Sequence, residues 1–166
     1  MAVANSGSAT VTLPTEEQIL ITREFDAPKR LVYQAWTTPE LVRRWWHANR
    51  GEVTVAEIDL RVGGGWRYVA VTPDGFEVAF HGEYREIVPN ERIVATEVYE
   101  GAPQTDGADE GTLNTATFTE LDGRTTLTTL VQAPSLEVRD AIIASGMEAG
   151  MQDALMLLEQ VARSLR

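Results

Sequence analysis

Two histidines and no cysteine are available in the 166-residue chain for transition-metal binding. His47 and His81 fall in different predicted elements, so they cannot form a histidine-rich metal site. We interpret His47 as a surface residue at a helix end, and His81 as a satisfied or exposed histidine of a sheet. The sequence contains no P-loop, HExxH or GxSxG motif. We therefore predict neither a metal nor a cofactor.

A glycine triplet at 63–65 is the nearest approach to a nucleotide-binding motif. A dinucleotide fingerprint needs a helix after its glycines, whereas a strand pattern follows this triplet. The triplet therefore predicts a sharp bend between two strands. The acidic tract at 106–110 lacks the ligand spacing and the bidentate glutamate of a calcium loop, and we interpret it as a solvated loop.

Charged residues alternate with aromatic residues along several predicted strands. Arg67, Glu83, Arg85 and Glu97 have the opposite parity to the aromatic side chains, unless a bulge intervenes. They predict a ladder of charges across strands on the convex face of a sheet. Acid–base catalysis would need two titratable groups inside a cavity with shifted pKa values, and the sequence shows no such pair. No catalytic residue is assigned, and whether the protein is an enzyme stays open.

Aromatic and aliphatic residues form the more informative pattern. Two adjacent predicted strands each place aromatic side chains on one face, and a predicted helix places aliphatic residues on one face. These residues either pack as an ordinary core or line a pocket for an apolar ligand, with tyrosine hydroxyls as polar anchors. The predicted ligand-binding residues are Trp66, Tyr68, Phe80, Tyr84, Met147, Met151 and Leu155.

The elements that position these residues follow from periodicity and punctuation. Alternation predicts a strand over 17–26 and an antiparallel meander over 51–132, with turns at 73–75, 89–90 and 122–123. Helical spacing predicts helices over 28–36, 39–46 and 136–164, the last broken near Gly146. Asp26, Thr37-Thr38 and Ser135 are the predicted capping residues. Residues 1–15 are predicted to be a mobile leader and 101–111 a long flexible hairpin loop.

Composition narrows the class of protein. A chain of 166 residues with 43% hydrophobic content is expected to form one domain, residues 16–166, with a sizeable core. A formal charge of -11 disfavours binding to nucleic acid or an anionic membrane. The chain has no apolar run long enough to span or insert into a membrane, and its N-terminus lacks the features of a signal peptide. We therefore expect a cytoplasmic protein.

Several stretches carry a family resemblance. They are FDAP at 25–28, LVYQAWTTPELVRRWW at 31–46, DLRVGGGWRY at 59–68, PDG at 73–75, HGEYREIVPNERIV at 81–94 and SGMEAGMQDALMLL at 145–158. The chain resembles the START and birch-pollen-allergen-like (SRPBCC) superfamily, and within it the group named for the activator of the ninety-kilodalton heat-shock protein ATPase. The resemblance implies an α+β helix-grip fold, a curved antiparallel sheet around a long C-terminal helix. Where that group often has tryptophan, this chain has Met151, which would leave more room between helix and sheet.

The superfamily contains lipid carriers, hormone receptors, polyketide cyclases and co-chaperones, so the resemblance indicates a fold more than a function. We predict that the protein binds a hydrophobic or amphipathic small molecule between the sheet and the C-terminal helix. A cyclase or hydrolase that uses the same cavity, and a domain that binds a chaperone, are the alternatives. The oligomeric state is open, since Trp36, Trp45 and Trp46 offer apolar surface for a homodimer.

Overall fold

The computed structural model describes residues 8–100 and 111–166. Within these ranges the chain forms eight strands and four helices. The strands are β1 (Thr10–Thr12), β2 (Gln18–Phe25), β3 (Glu52–Ile58), β4 (Gly65–Val71), β5 (Glu77–Val88), β6 (Arg92–Tyr99), β7 (Thr112–Leu121) and β8 (Arg124–Gln132). The helices are α1 (Lys29–Thr37), α2 (Pro39–Val42), α3 (Leu136–Ala144) and α4 (Met147–Ser164).

The eight strands form one antiparallel sheet in the order β1-β2-β8-β7-β6-β5-β4-β3. The sheet curves around α4, which confirms the predicted α+β helix-grip fold. Strand β2 shows why one face is buried: Ile19, Ile21 and Phe25 alternate with more accessible neighbours such as Glu24. The concave face and the inner side of α4 therefore enclose the core.

Tight turns join the strands of the meander where the sequence predicts them. Asp122 and Gly123 have φ angles of 53° and 77° between β7 and β8, a pair of left-handed residues typical of a two-residue hairpin. Asn90 has a φ of 65° between β5 and β6, and Gly63 has a φ of 86° in the bend between β3 and β4. Residues 101–110 of the predicted long loop lie outside the described residues.

Strand β1 lies within residues 1–15, the predicted N-terminal leader. Residues 10–12 pair with β2, with Thr10 opposite Thr22. Ala9 is also hydrogen-bonded on both backbone groups by the Gln152 side chain of α4, at 2.8 and 2.9 Å. These backbone hydrogen bonds do not depend on side-chain hydrophobicity, so composition could not indicate them. Residues 1–7 lie outside the described residues.

The two short helices after β2 begin where predicted, but their caps differ. The N-cap of α1 is Pro28, without a side-chain capping bond, and Asp26 instead pairs with arginines, with Arg166 Nη2 at 3.5 Å. Thr38 is the N-cap of α2, also without a side-chain capping bond. Helix α2 ends at Val42, earlier than predicted, and the chain continues as turns into a loop before β3.

The C-terminal helical region is divided as predicted. The Ser135 hydroxyl caps α3 by accepting a hydrogen bond from the Val138 N–H at 3.1 Å. Gly146 then adopts a left-handed conformation, with φ 83° and ψ 20°, and acts as the N-cap of α4. Helix α4 buries Leu155, Leu158 and Val161 in the same core cluster as the sheet. Among the described helices, none combines the length and the hydropathy that a membrane span requires.

Candidate functional site

The predicted ligand-binding residues all lie on elements that face one another across the concave side. Tyr68 of β4 is paired with Phe80 of β5, and Trp66 is paired with Gly82. Among the seven, Tyr68, Tyr84 and Leu155 belong to the buried core cluster, and Trp66, Met147 and Met151 are partly buried against it. Phe80 is partly buried and contacts other rings instead.

Trp46 is an aromatic residue of this face that sequence reasoning assigned to an exposed surface. Its ring centroid lies 5.4 Å from that of Tyr68 and 5.8 Å from that of Phe80, both in edge-to-face geometry. Trp66 lies 4.8 Å from Tyr68 at a tilted angle of 50°. Four rings of three elements therefore meet at the β3–β4–β5 end of the concave face. The adjacent Trp45 and Trp46 are the sequence feature that could have indicated this cluster. Helical periodicity does not show that the helix ends at Val42, so it does not place the Trp46 ring.

The other tryptophans of the predicted dimer surface are accounted for within the chain. Trp45 is only 5% exposed, stacks on Trp36 at 5.4 Å and donates its indole hydrogen to the Ala35 carbonyl at 2.9 Å. Trp36 also contacts Phe118. The interpretation of Trp45 as apolar surface is therefore wrong, because its ring fills the space between α1 and the loop after α2.

The loop before β3 holds Trp46 in place through two left-handed residues and an arginine. Ala48 and Asn49 have φ angles of 54° and 60°, uncommon for residues other than glycine. Arg50 donates to the Ala48 carbonyl at 2.8 Å and to the Asp153 carboxylate of α4 at 2.6 Å. The loop is thereby joined to the N-terminal half of α4. His47 accepts the Asn49 N–H at 3.0 Å on this loop.

Gly82 allows the indole of Trp66 to lie flat across the sheet. A Cβ atom on Gly82 would come within 2.5 Å of Trp66 Nε1 and 1.8 Å of the Thr96 carbonyl oxygen. With no side chain there, Trp66 Nε1 donates to that Thr96 oxygen at 3.2 Å. The indole therefore spans from β4 over β5 to β6, and reaches the backbone next to Glu97.

Glu97 faces the concave side, which corrects its predicted place on the convex face. Glu97 has the parity of Ile93 and Ala95, which lie in or against the core cluster, and it is paired with Thr112 of β7. Asn114 Nδ2 donates to Glu97 Oε1 at 3.3 Å, and the Thr112 hydroxyl donates to Asn114 Oδ1 at 2.8 Å. A short polar chain thus crosses an otherwise aromatic face.

Burial shifts the pKa values of the titratable groups on this face. The residue Glu97 is partly accessible to solvent, but its carboxyl group is desolvated. This burial raises the pKa of the carboxyl to about 7. Burial also raises the pKa of Tyr68 well above its ordinary value, with smaller contributions from Tyr84 and from the charge of Glu97. The pKa of Tyr84 is raised by burial in the same way. The carboxyl of Glu97 is therefore the group here that can change charge near neutral pH.

The convex face carries the remaining charges of the predicted ladder. Arg67 forms a bidentate pair with Glu100, with both N–O distances at 2.9 Å, and His81 Nδ1 lies 2.9 Å from Glu100 Oε2. These hydrogen bonds, from Arg67 first and from His81 second, lower the pKa of Glu100 to about 2. Arg85 and Glu83 pair along one strand at 3.1 Å. His81 is therefore a surface histidine with a hydrogen-bond partner, as expected.

Two open depressions lie on the surface of the described residues. One, of about 410 Å³, lies over the Arg67, His81 and Glu100 group, and another, of about 610 Å³, lies beside the loop before β3 and the β4–β5 turn. Of the predicted ligand-binding residues, only Trp66 borders either of them. In the part of the chain that the structure describes, no three His, Cys, Asp or Glu side chains are grouped to hold a metal ion.

The fold and its aromatic concave face define a helix-grip protein of the SRPBCC type. The model of the family "Activator of Hsp90 ATPase homolog 1-like protein" matches residues 26–163, and the chain belongs to this family. The match covers all of the elements from α1 to nearly the end of α4. The predicted family resemblance is thus confirmed.

Solved structures of bacterial proteins show the same fold. A crystal structure from Rhodobacter sphaeroides has a TM-score of 0.84 at 25% identity, and the alignment covers 95% of this chain and 99% of that one. A solution structure from Arthrobacter aurescens has a TM-score of 0.81 at 25% identity, with 93% and 91% covered. A solution structure from Staphylococcus epidermidis has a TM-score of 0.78 at 26% identity, with 95% of each chain covered. No protein with curated function matches the chain.

Proposed function

We propose that the protein binds a hydrophobic or amphipathic small molecule between the concave face of the sheet and the N-terminal half of α4. The proposed lining consists of Trp66, Tyr68, Phe80, Tyr84, Met147, Met151 and Leu155, together with Trp46. Aromatic and methionine side chains suit such a site, because they offer large apolar surface that adapts to a ligand's shape.

The observation that carries the proposal is a gradient of burial along α4. In its C-terminal half, Leu158, Val161 and Ala162 are 0%, 3% and 0% exposed. In its N-terminal half, the inward Met147 and Met151 are only partly buried. The helix thus closes tightly at one end and incompletely at the other, which Arg50 joins to the loop that carries Trp46. An incompletely covered apolar face is favourable for a ligand that completes the burial.

The first prediction tests this site by filling it. Met151→Trp places a larger ring between α4 and the sheet, so the binding of N-phenyl-1-naphthylamine, an uncharged apolar dye, should weaken. A loss of about 1–3 kcal/mol of the dye's apolar burial corresponds to roughly 5- to 150-fold in affinity. The measurement is a fluorescence titration of wild type and variant, with circular dichroism to verify folding.

Met156→Trp is the matched control, because Met156 lies on the same helix and is 39% exposed. Its dye affinity should equal that of the wild type. If Met151→Trp binds the dye as well as the wild type while folded, the proposed site is wrong. The name of the family points to the alternative, a chaperone-binding domain. If Met151→Trp leaves dye binding unchanged and the protein retains a purified Hsp90, that alternative is favoured.

A further inference from the structure

We infer that the ligand of the concave face carries a positive charge, an amine or quaternary ammonium group attached to an apolar body. The Glu97 carboxylate and the ring faces of Trp66, Tyr68 and Trp46 would hold this group. The inference rests on the proposed function, because it names the chemistry of the ligand for the same face.

The sheet register places Glu97 beside the aromatic rings. Phe80 is paired with Tyr99 and Tyr84 with Ala95, so Gly82 and Glu97 are opposite each other between these pairs. Trp66 is paired with Gly82 on the other side. Because Gly82 has no side chain, nothing on β5 separates the Trp66 indole from Glu97, and the indole nitrogen already reaches the carbonyl of the preceding residue at 3.2 Å.

Glu97 has no cationic partner among the described residues. It forms none of the ion pairs found there, and its one hydrogen bond from a side chain is the 3.3 Å contact with the neutral amide of Asn114. A carboxylate that is removed from water without a counter-charge is unfavourable. Its remaining lone pairs can be satisfied by a cation that enters from outside the chain.

The surrounding rings are inclined to one another. Trp46 and Tyr68 are inclined by 68°, Trp46 and Phe80 by 80°, and Trp66 and Tyr68 by 50°. Rings at such angles have faces that point in different directions, so a cation placed beside them would contact more than one ring. The negative face of each ring attracts an ammonium group, and tryptophan attracts it most strongly.

The charge of the whole chain favours the same ligand. With 25 acidic and 14 basic residues the formal charge is -11, so the field of the protein concentrates cations and repels anions. A neutral ligand that accepts a hydrogen bond from protonated Glu97 is the competing possibility. The two possibilities can be distinguished by measurement. A site for a neutral ligand would not prefer a cation over a neutral molecule of the same shape.

The test compares three probes of similar size and different charge at about pH 8. Phenyltrimethylammonium, tert-butylbenzene and benzenesulfonate share one ring and a tetrahedral substituent, and differ in net charge. Binding is followed by NMR at the indole N–H of Trp66, which is assigned by its loss in Trp66→Phe. We expect the cation to bind roughly tenfold more tightly than the neutral probe. The anion should bind most weakly.

Glu97→Gln keeps the shape of the side chain and removes its charge, so the preference for the cation should fall to about the level that ring faces alone provide, roughly twofold. Glu57→Gln, an exposed carboxylate on β3, controls for the general charge and should leave the preference unchanged. Equal binding of cation and neutral probe by wild type would overturn the inference and leave the proposed function standing. Equal losses of the preference in Glu97→Gln and Glu57→Gln would overturn it as well. If no probe and no apolar dye shifts the Trp66 signal, the proposed function itself fails.

Discussion

At the scale of single residues, the concave face holds the titratable carboxyl of Glu97. The free-energy cost of burying its charge can be measured without any ligand. Burial raises the pKa of Glu97 to about 7, whereas a glutamate in an unfolded chain ionises near about 4.3. Between these two values the folded protein holds a proton that the unfolded chain releases. The free energy of unfolding contributed by Glu97 therefore falls as pH rises through this window, and stays low above it.

Glu97→Gln removes this effect. At about pH 8 the variant should be more stable than the wild type, by at most about 4 kcal/mol, and at about pH 4 the two should be nearly equal. Tyr68 and Tyr84 do not titrate in this range, because burial raises both pKa values further above it. Urea unfolding at the two pH values measures the difference. A stability difference that is independent of pH would show that Glu97 titrates normally and is not enclosed.

At the scale of elements, periodicity predicts most of what the chain forms. The alternation of β2, the turn residues Asp122-Gly123 and the capping Ser135 each give a local signal, and the structure has the expected element at each place. The sequence of β1 gives no such signal, because this strand forms through backbone pairing with β2. Helix α2 is shorter than its apolar spacing suggests, because the following residues form turns, in which the Arg44 and Trp45 N–H groups donate to carbonyls three residues back, at 2.9 and 3.2 Å.

The orientation of Glu97 could not be read from β6 alone. Its two faces, Ile93-Ala95-Glu97 and Val94-Thr96-Val98, are similarly apolar, so alternation does not say which one is inside. The irregular register of β5 and β6 after Tyr84 adds to the ambiguity. The aromatic residues of β4 and β5 were easier to place, since Arg67 alternates with Trp66 and Tyr68 and marks the outer face.

Gly146 makes the division between α3 and α4 a testable feature of the helical region. Its φ of 83° lies in the left-handed region, and a Cβ atom there would meet nothing within 4 Å, so the cost of Gly146→Ala is backbone strain alone. We expect a loss of about 1 kcal/mol in unfolding free energy. Gly150→Ala is the matched control within α4, also in open space, and should gain about 0.5–1 kcal/mol. A gain for both variants would mean that α3 and α4 can join into one helix.

At the scale of the whole molecule, two of the ion pairs that join α4 to the rest of the fold differ in burial, and they lie in opposite halves of the helix. Arg50 and Asp153 meet at 2.6 Å with side chains 48% and 40% exposed, beside the incompletely covered end. Arg23 and Glu159 meet at 3.3 Å with side chains 1% and 16% exposed, at the tightly packed end. The difference in burial indicates that one end of the helix is fixed by the core, whereas the other is held by a contact that water can replace.

The buried pair has more partners than the exposed one. Glu159 also accepts the Asp26 N–H at 2.7 Å, and the Arg23 guanidinium lies 4.6 Å from the centre of the Phe25 ring. Arg23 Nε has no hydrogen-bond partner among the described residues. The guanidinium thus depends on Glu159 for the only carboxylate it contacts there. Removing that carboxylate leaves a positive charge inside the fold.

Glu159→Gln should therefore lower the free energy of unfolding by about 3 kcal/mol, because an uncompensated buried charge is costly. The double variant Arg23→Met with Glu159→Gln should recover most of this loss, since an apolar side chain replaces the unpaired cation. Asp153→Asn, which breaks the exposed pair on the same helix, should cost less than about 1 kcal/mol. Urea unfolding of the four proteins provides the comparison. Similar losses for Glu159→Gln and Asp153→Asn would contradict the argument, because they would mean that both ends of α4 are held equally.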